Sequence, residues 1–158
     1  MPEKSERTER VYSTNRKAFH DYYILETVEA GIELSGTEVK SVREGKINLR
    51  DSYARIKDGE VWLLNSYIAT YDQGNRFNHE TGRPRKLLLH KGEIARLAGL
   101  VQDTGKTLVP LRVYDRKGHI KVTLGLARGK KEYDKRETIA RKEAEREVER
   151  ALKEAVRG

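Results

Sequence analysis

Thr107–Ala127 reads TLVPLRVYDRKGHIKVTLGLA. Two runs rich in Val, Ile, Leu and Thr, Thr107–Tyr114 and His119–Ala127, are joined across Asp115-Arg-Lys-Gly118, so the stretch predicts a β-hairpin. Proline cannot donate to a ladder, so Pro110 inside the first arm predicts an edge or a bulge. A second hairpin precedes it. Ser52–Ile56 alternates, Asp58-Gly59 supplies a turn, and Val61–Leu64 returns. Asp21–Leu25 and Lys86–His90 are further strand candidates, which makes about six. Two short helices interrupt them. Gly36–Glu44 places Val39 and Val42 three apart and stops at Gly45, and Lys91–Leu100 puts Ile94, Leu97, Ala98 and Leu100 on one side. Six strands with short hairpins and no repeated strand–helix–strand unit predict a small closed or partly open β-barrel, a form that often exposes a face to oligonucleotides.

Around this barrel the composition changes. Residues 1–14 are polar and charged and read as a flexible leader, 15–127 as the barrel domain, and 128–158 as a basic tail. The chain of 158 residues carries 33 Lys+Arg and 25 Asp+Glu, a formal charge of +8, of which the tail supplies +3. Such an excess suits a polyanionic partner. In the tail, Ile139, Ala144, Val148, Leu152 and Ala155 fall at helical spacing but form a thin stripe. The pairs Glu137–Arg141, Glu143–Arg146, Glu147–Arg150 and Glu149–Lys153 each add only about 0.2–0.5 kcal/mol of helix support. The tail is therefore expected to be disordered or frayed when free and helical on a partner.

Several chemistries find no support. The sequence has no cysteine, which excludes disulfides and thiolate metal sites and suits the cytoplasm. No apolar run is long enough to span a membrane, and the charged N-terminus does not read as a secretory signal. Gly105-Lys106-Thr107 resembles the end of a phosphate-binding loop, but position 100, where that motif needs glycine, is Leu. His20, His79, His90 and His119 lack metal-ligand spacing, and no carboxylate cluster or nucleophile–base set stands out. A binding protein with no metal, no cofactor and no catalytic residue is the better reading, with an RNA-processing hydrolase as the enzymatic alternative.

Two basic clusters suit a nucleic acid. Arg83-Pro-Arg-Lys86 offers Arg83, Arg85 and Lys86 as phosphate contacts, or forms a solvated loop feeding a strand. Tyr133 stands between Gly129-Lys130-Lys131 and Asp134-Lys135-Arg136, where an aromatic among cations suits stacking on a base.

Seven stretches carry a family resemblance: NRKAFHDYYI (Asn15–Ile24), EAGIEL (Glu29–Leu34), GTEVKSVREGKINLRDSY (Gly36–Tyr53), GEVWL (Gly59–Leu63), RPRKLLLHKGEI (Arg83–Ile94), TLVPL (Thr107–Leu111) and LARGKKEYDKR (Leu126–Arg136). Together they resemble the SmpB family, the small bacterial proteins that bind transfer-messenger RNA (tmRNA, also SsrA). The resemblance implies a mainly β fold, an oligonucleotide-binding-type six-stranded antiparallel barrel with short helices and a basic C-terminal tail. It implies a non-enzymatic role in trans-translation: binding the tRNA-like domain of tmRNA, and delivering it in alanyl-charged form with elongation factor Tu to stalled ribosomes. The tail would act in the small-subunit decoding centre and mRNA channel, against ribosomal RNA.

Residue by residue, the resemblance places RNA contacts at Asn15, Glu29, Leu88 and His90, with Arg16 and Lys17 beside the first of these. Glu29 either accepts hydrogen bonds from base amino groups and ribose hydroxyls or orients a neighbouring cation. Leu88 is either an apolar contact to a splayed base or core. In the tail, Gly129, Lys130, Lys131, Tyr133, Asp134, Lys135 and Arg136 match the ribosome-facing stretch. Thr81 departs from the family, where many members carry Pro, which leaves the rigidity of that loop open. GTEVKS is diagnostic, and Val39 and Val42 favour packing over RNA contact as its role.

Overall fold

The computed structural model describes residues 9–72, 78–102, 105–130 and 142–153. In chain order the elements are β1 (Arg10–Thr14), α1 (Arg16–Asp21), β2 (Tyr22–Ile32), α2 (Gly36–Arg43), β3 (Ile47–Asn48), β4 (Tyr53–Lys57), β5 (Glu60–Leu64), β6 (Tyr67–Ile68), β7 (Arg85–Leu88), α3 (Lys91–Val101), β8 (Lys106–Arg116) and β9 (His119–Gly129). Residues 142–153 form a further helix.

The expected hairpin is the seam of the fold. β8 and β9 pair antiparallel from Lys106↔Arg128 to Arg116↔His119. The turn is only Lys117-Gly118, both at positive φ (52° and 81°), so Asp115 and Arg116 belong to the strand and not to the turn. Asp58 (53°) and Gly59 (75°) make the equivalent turn between β4 and β5. β8 also pairs with β4, β4 with β5, β5 with β7, β7 with β2 and β2 with β9. This closes a ring of six antiparallel strands, the oligonucleotide-binding-type barrel that the family resemblance implied. All six sequence-read strands are ring strands, although β2 continues past Leu25 to Ile32.

The register of β8 slips between Pro110 and Arg112, so the proline sits at a bulge. Leu111 is the extra residue, and its side chain reaches Gly125, the partner of Val109, where a Cβ would lie 2.8 Å from Leu111 Cδ1. Glycine there gives the bulged leucine its space.

The barrel interior is filled by inward residues of alternating strands, among them Val61, Leu63, Leu87, Leu108, Val122 and Leu124. A second cluster of Ala18, Val109, Leu111 and Ala127 lies under α1. Covered on both faces, β8 therefore buries Leu108, Val109, Pro110 and Leu111 in succession.

Residues 10–14 overturn part of the expected leader. They form β1, which pairs with the outer edge of β8, and Tyr12 donates a 3.0 Å hydrogen bond to Asp115. Composition made this segment look unbound because its strand exposes most of its side chains. β9 likewise carries Arg128 and Gly129, so the barrel extends two residues beyond Ala127.

Candidate nucleic-acid interface

Strand parity and register place three of the expected contact residues together, at the end of the barrel that holds the β8–β9 turn. Glu29 lies on β2 opposite Thr123 of β9. Two residues on, Gly31 pairs with Leu88 on one side and Lys121 on the other. His90 lies two residues past Leu88, in the direction in which β2 runs back to Glu29, and is exposed. Its backbone N–H donates to Glu93 at 3.2 Å as α3 begins.

Leu88 is 49% exposed whereas Leu87 points inward at 1%. The alternative of a core role is thereby closed. A Cβ on Gly31 would lie 3.2 Å from Leu88 Cβ, so the glycine lets Leu88 rest against the β2 backbone. Beside them a cleft of about 260 Å³ is rimmed by Arg43, His119 and Lys121. Arg43 is steadied by donating to the Gly118 carbonyl at 3.1 Å.

Glu29 is a paired carboxylate. Tyr114 donates its hydroxyl to Oε2, and Arg116 Nη1 donates to the same atom at 2.9 Å. The tyrosine hydrogen bond, followed by Arg116, outweighs partial burial and holds the Glu29 pKa below the ordinary value. Burial, then donation to Glu29, pushes Tyr114 up to about 12. The site is thus an ionised acceptor and a phenol donor fixed by a cation, next to an exposed leucine and a basic rim. That set can hydrogen-bond base edges or ribose hydroxyls, contact an apolar base face and attract phosphate.

The N-terminal group lies elsewhere. Seven steps along β2 separate Tyr22 from Glu29, roughly 23 Å at the rise of a strand. At the Tyr22 end, a cleft of about 460 Å³ is lined in part by Lys17, Asp51, Tyr53, Lys106 and Gly129. Lys17 is ion-paired with Asp51, and Arg16 is exposed.

Asn15 is not a surface contact. It is 4% exposed, and its carboxamide donates to the Leu49 and Pro110 carbonyls at 3.1 and 2.9 Å while accepting from Ala18 N as the cap of α1. Asn15→Ala should lose about 2 kcal/mol or more, because the cap is lost together with two buried hydrogen bonds to the Leu49 and Pro110 carbonyls. Thermal melting checks the loss. The RNA affinity of the folded variant should stay within about threefold of wild type, within the scatter of near-neutral interface positions. A selective loss of affinity at unchanged stability would make Asn15 a contact after all.

The basic run Arg83–Lys86 divides by strand parity. Arg85 is fully buried, and its five N–H groups are all used: Nε to Glu38 at 2.6 Å, Nη1 to Ser66 O and Oγ at 3.2 and 3.0 Å, and Nη2 to the Glu80 and Thr81 carbonyls at 3.2 and 3.0 Å. Its expected phosphate contact is ruled out. Arg83 also grips Glu38 but stays a third exposed, and Lys86 pairs with Glu60 at 3.0 Å on the outer face.

Glu38, itself 0% exposed, additionally accepts from the Ser35 backbone N–H at 2.8 Å in the capping box that starts α2. The GTEVKS stretch is therefore a packing element, with Ser41 and Val42 buried as well.

Of the expected tail residues, Gly129 ends β9 opposite Tyr22. Lys130 Nζ reaches the Phe19 carbonyl at 3.4 Å and lies 5.3 Å from the Tyr23 ring centre. Lys131, Tyr133, Asp134, Lys135 and Arg136 lie outside the described residues. Arg116, Tyr114 and Lys121 were missed from sequence. The available signal was a lone acidic contact in a basic chain, which needs a cation, and the end of β8 supplies Arg116. Among the described residues no group of three His, Asp or Glu could hold a metal ion, and no helix is long and apolar enough to cross a membrane.

The closed ring and its cation-bearing clefts place the chain in the class of oligonucleotide-binding-type β-barrels. The family model described as SmpB protein matches residues 12–154. An SsrA-binding protein of Shouchella clausii is 61% identical over 149 residues, covering 94% of this chain and 96% of its own length. One from Caldicellulosiruptor bescii is 58% identical over 158 residues, covering 99% and 100%. A chain in a solved structure described as "tmRNA-SmpB: a journey to the center of the bacterial ribosome" is 57% identical, with a TM-score of 0.65 over 76% of this chain and 84% of that one. The chain belongs to the SmpB family.

Proposed function

We propose that this protein binds the tRNA-like domain of tmRNA at the Glu29–Leu88–His90 end of the barrel and delivers it to stalled ribosomes in trans-translation. The observation that carries the reading is the exposed Leu88 seated on Gly31 beside a fixed Glu29–Tyr114–Arg116 set, in a chain whose relatives are named SsrA-binding proteins. Arg16, Lys17 and the partly exposed Arg83 and Lys86 add phosphate contacts on neighbouring surfaces. The tail acts in the small-subunit decoding centre and mRNA channel, with the stretch around Tyr133 on ribosomal RNA. Elongation factor Tu accompanies the alanyl-charged RNA, and the work takes place in the cytoplasm.

Glu29 tests the interface. Glu29→Gln keeps the shape, removes the charge and loosens Arg116. It should weaken binding of the tRNA-like RNA by roughly 10–150-fold, the worth of one charged hydrogen bond. Because the ion pair is exposed by about half on Arg116 and a third on Glu29, the melting temperature should move by no more than a few degrees. Unchanged affinity would remove Glu29 from the interface. A large fall in melting temperature would make it structural.

A further inference from the structure

We propose that Trp62 forms a stacking site for an unpaired nucleobase, with the adjoining phosphate held by Arg55 and Lys57. This deepens the reading of the chain as a tmRNA-binding protein and rests on it. The register of the β4–β5 hairpin puts Arg55 directly across from Trp62, while Val61 and Leu63 point into the core at 0% exposure. Trp62 therefore faces outward on a strand whose other side is fully packed. It lies half-buried in an open cleft of about 520 Å³ with Leu64, Pro84, Arg55 and Lys57.

Three features point to a base with its phosphate. The indole N–H donates to no protein group among the described residues, and neither Arg55 nor Lys57 has an ion pair there. An indole face backed by leucine and proline gives a flat apolar platform, and every base has a π-face to lay on it. The two free cations on the β4 side supply the countercharge. Two carboxylates share the cleft. Glu60 is held by Lys86 at 3.0 Å, and Asp58 sits in the turn, so the phosphate belongs on the Arg55–Lys57 side.

The position also fits a continuous RNA path. Trp62 pairs with Lys86, and Leu88 follows two residues along β7, so platform and leucine lie about 8 Å apart on one outer face. RNA seated on Leu88 passes within reach of Trp62.

Trp62 is the only tryptophan in the chain, so its fluorescence reports on this cleft alone. The experiment titrates the full-length protein with the tRNA-like domain of tmRNA while a gel shift measures binding independently. The expected result is quenching of Trp62 that saturates at the gel-shift midpoint. Trp62→Leu, which keeps the apolar bulk, should bind on the order of tenfold more weakly. Arg55→Gln with Lys57→Gln should weaken binding and flatten its salt dependence. If the RNA binds with full affinity while Trp62 fluorescence stays constant and Trp62→Leu binds like wild type, the stacking site is overturned and the tmRNA reading stands. If the wild-type protein fails to bind the RNA, both fall.

Discussion

Ending the chain after Lys130 should abolish peptide tagging on stalled ribosomes while leaving tmRNA binding within about threefold of wild type. The last barrel pairing is Tyr22↔Gly129, and Lys130 still reaches Phe19 O, so β9 and the cluster under α1 remain whole. The cut removes nine Lys+Arg and eight Asp+Glu, so the net charge falls only from +8 to +7 and long-range attraction for RNA is scarcely altered. A loss of tagging then reflects the tail itself. Residues 142–153 are helical with every residue exposed, Val148 at 59% and Leu152 at 62%. A helix that buries nothing of its own needs a partner to be firm. Gel shift and an in vitro tagging assay check the two halves separately. Normal tagging by the shortened protein would contradict the tail's role.

Glu38→Ala should be the most destabilising single change, by about 3–5 kcal/mol, because it strands a buried guanidinium. Arg85 would keep its neutral acceptors but lose its only countercharge at 0% exposure. Three connections would loosen together: the start of α2, the residues around Thr81, and β7. The melting temperature should fall on the order of 10–15 °C. A fall under about 2 °C would contradict the account. Replacing Glu38 and Arg85 together with apolar residues should recover part of the loss, since a buried pair is poorly matched by half of itself.

The same pair gives a pH dependence with a definite sign. Burial raises the Glu38 pKa, but hydrogen bonds from Arg83, the Ser35 backbone and Arg85 outweigh it and bring it from 4.5 to about 2. A depressed carboxylate stabilises the fold fully above its unfolded value. That stability should drain away as pH falls from 4.5 through about 2. In Glu38→Ala this acid-dependent component should be missing.

The barrel was legible because its evidence is local. Alternating apolar residues and two Gly-containing turns mark ring strands whichever neighbour they meet. The elements that escaped lack such a signal. β3 and β6 have two residues each, α1 buries only Ala18, and β1 adds to the sheet with mostly exposed side chains. The site was legible in part. Glu29, Leu88 and His90 came from family resemblance, and their meeting at one end of the barrel follows from register alone.

Arg85 and Asn15 were misplaced for a physical reason. Polar residues in a basic or resembling stretch look like surface, and only tertiary partners make their burial possible. Parity held the available warning: Arg85 shares its strand face with Leu87 and therefore points inward.

The central claim is that this barrel recognises one folded RNA and does not merely attract phosphate. The most direct measurement is competition at moderate salt between the tRNA-like domain of tmRNA and an unrelated hairpin of equal length. The account predicts that the tRNA-like domain wins by at least tenfold, and that the margin persists as salt rises and both affinities fall. Equal binding of the two RNAs, declining together with salt, would contradict it.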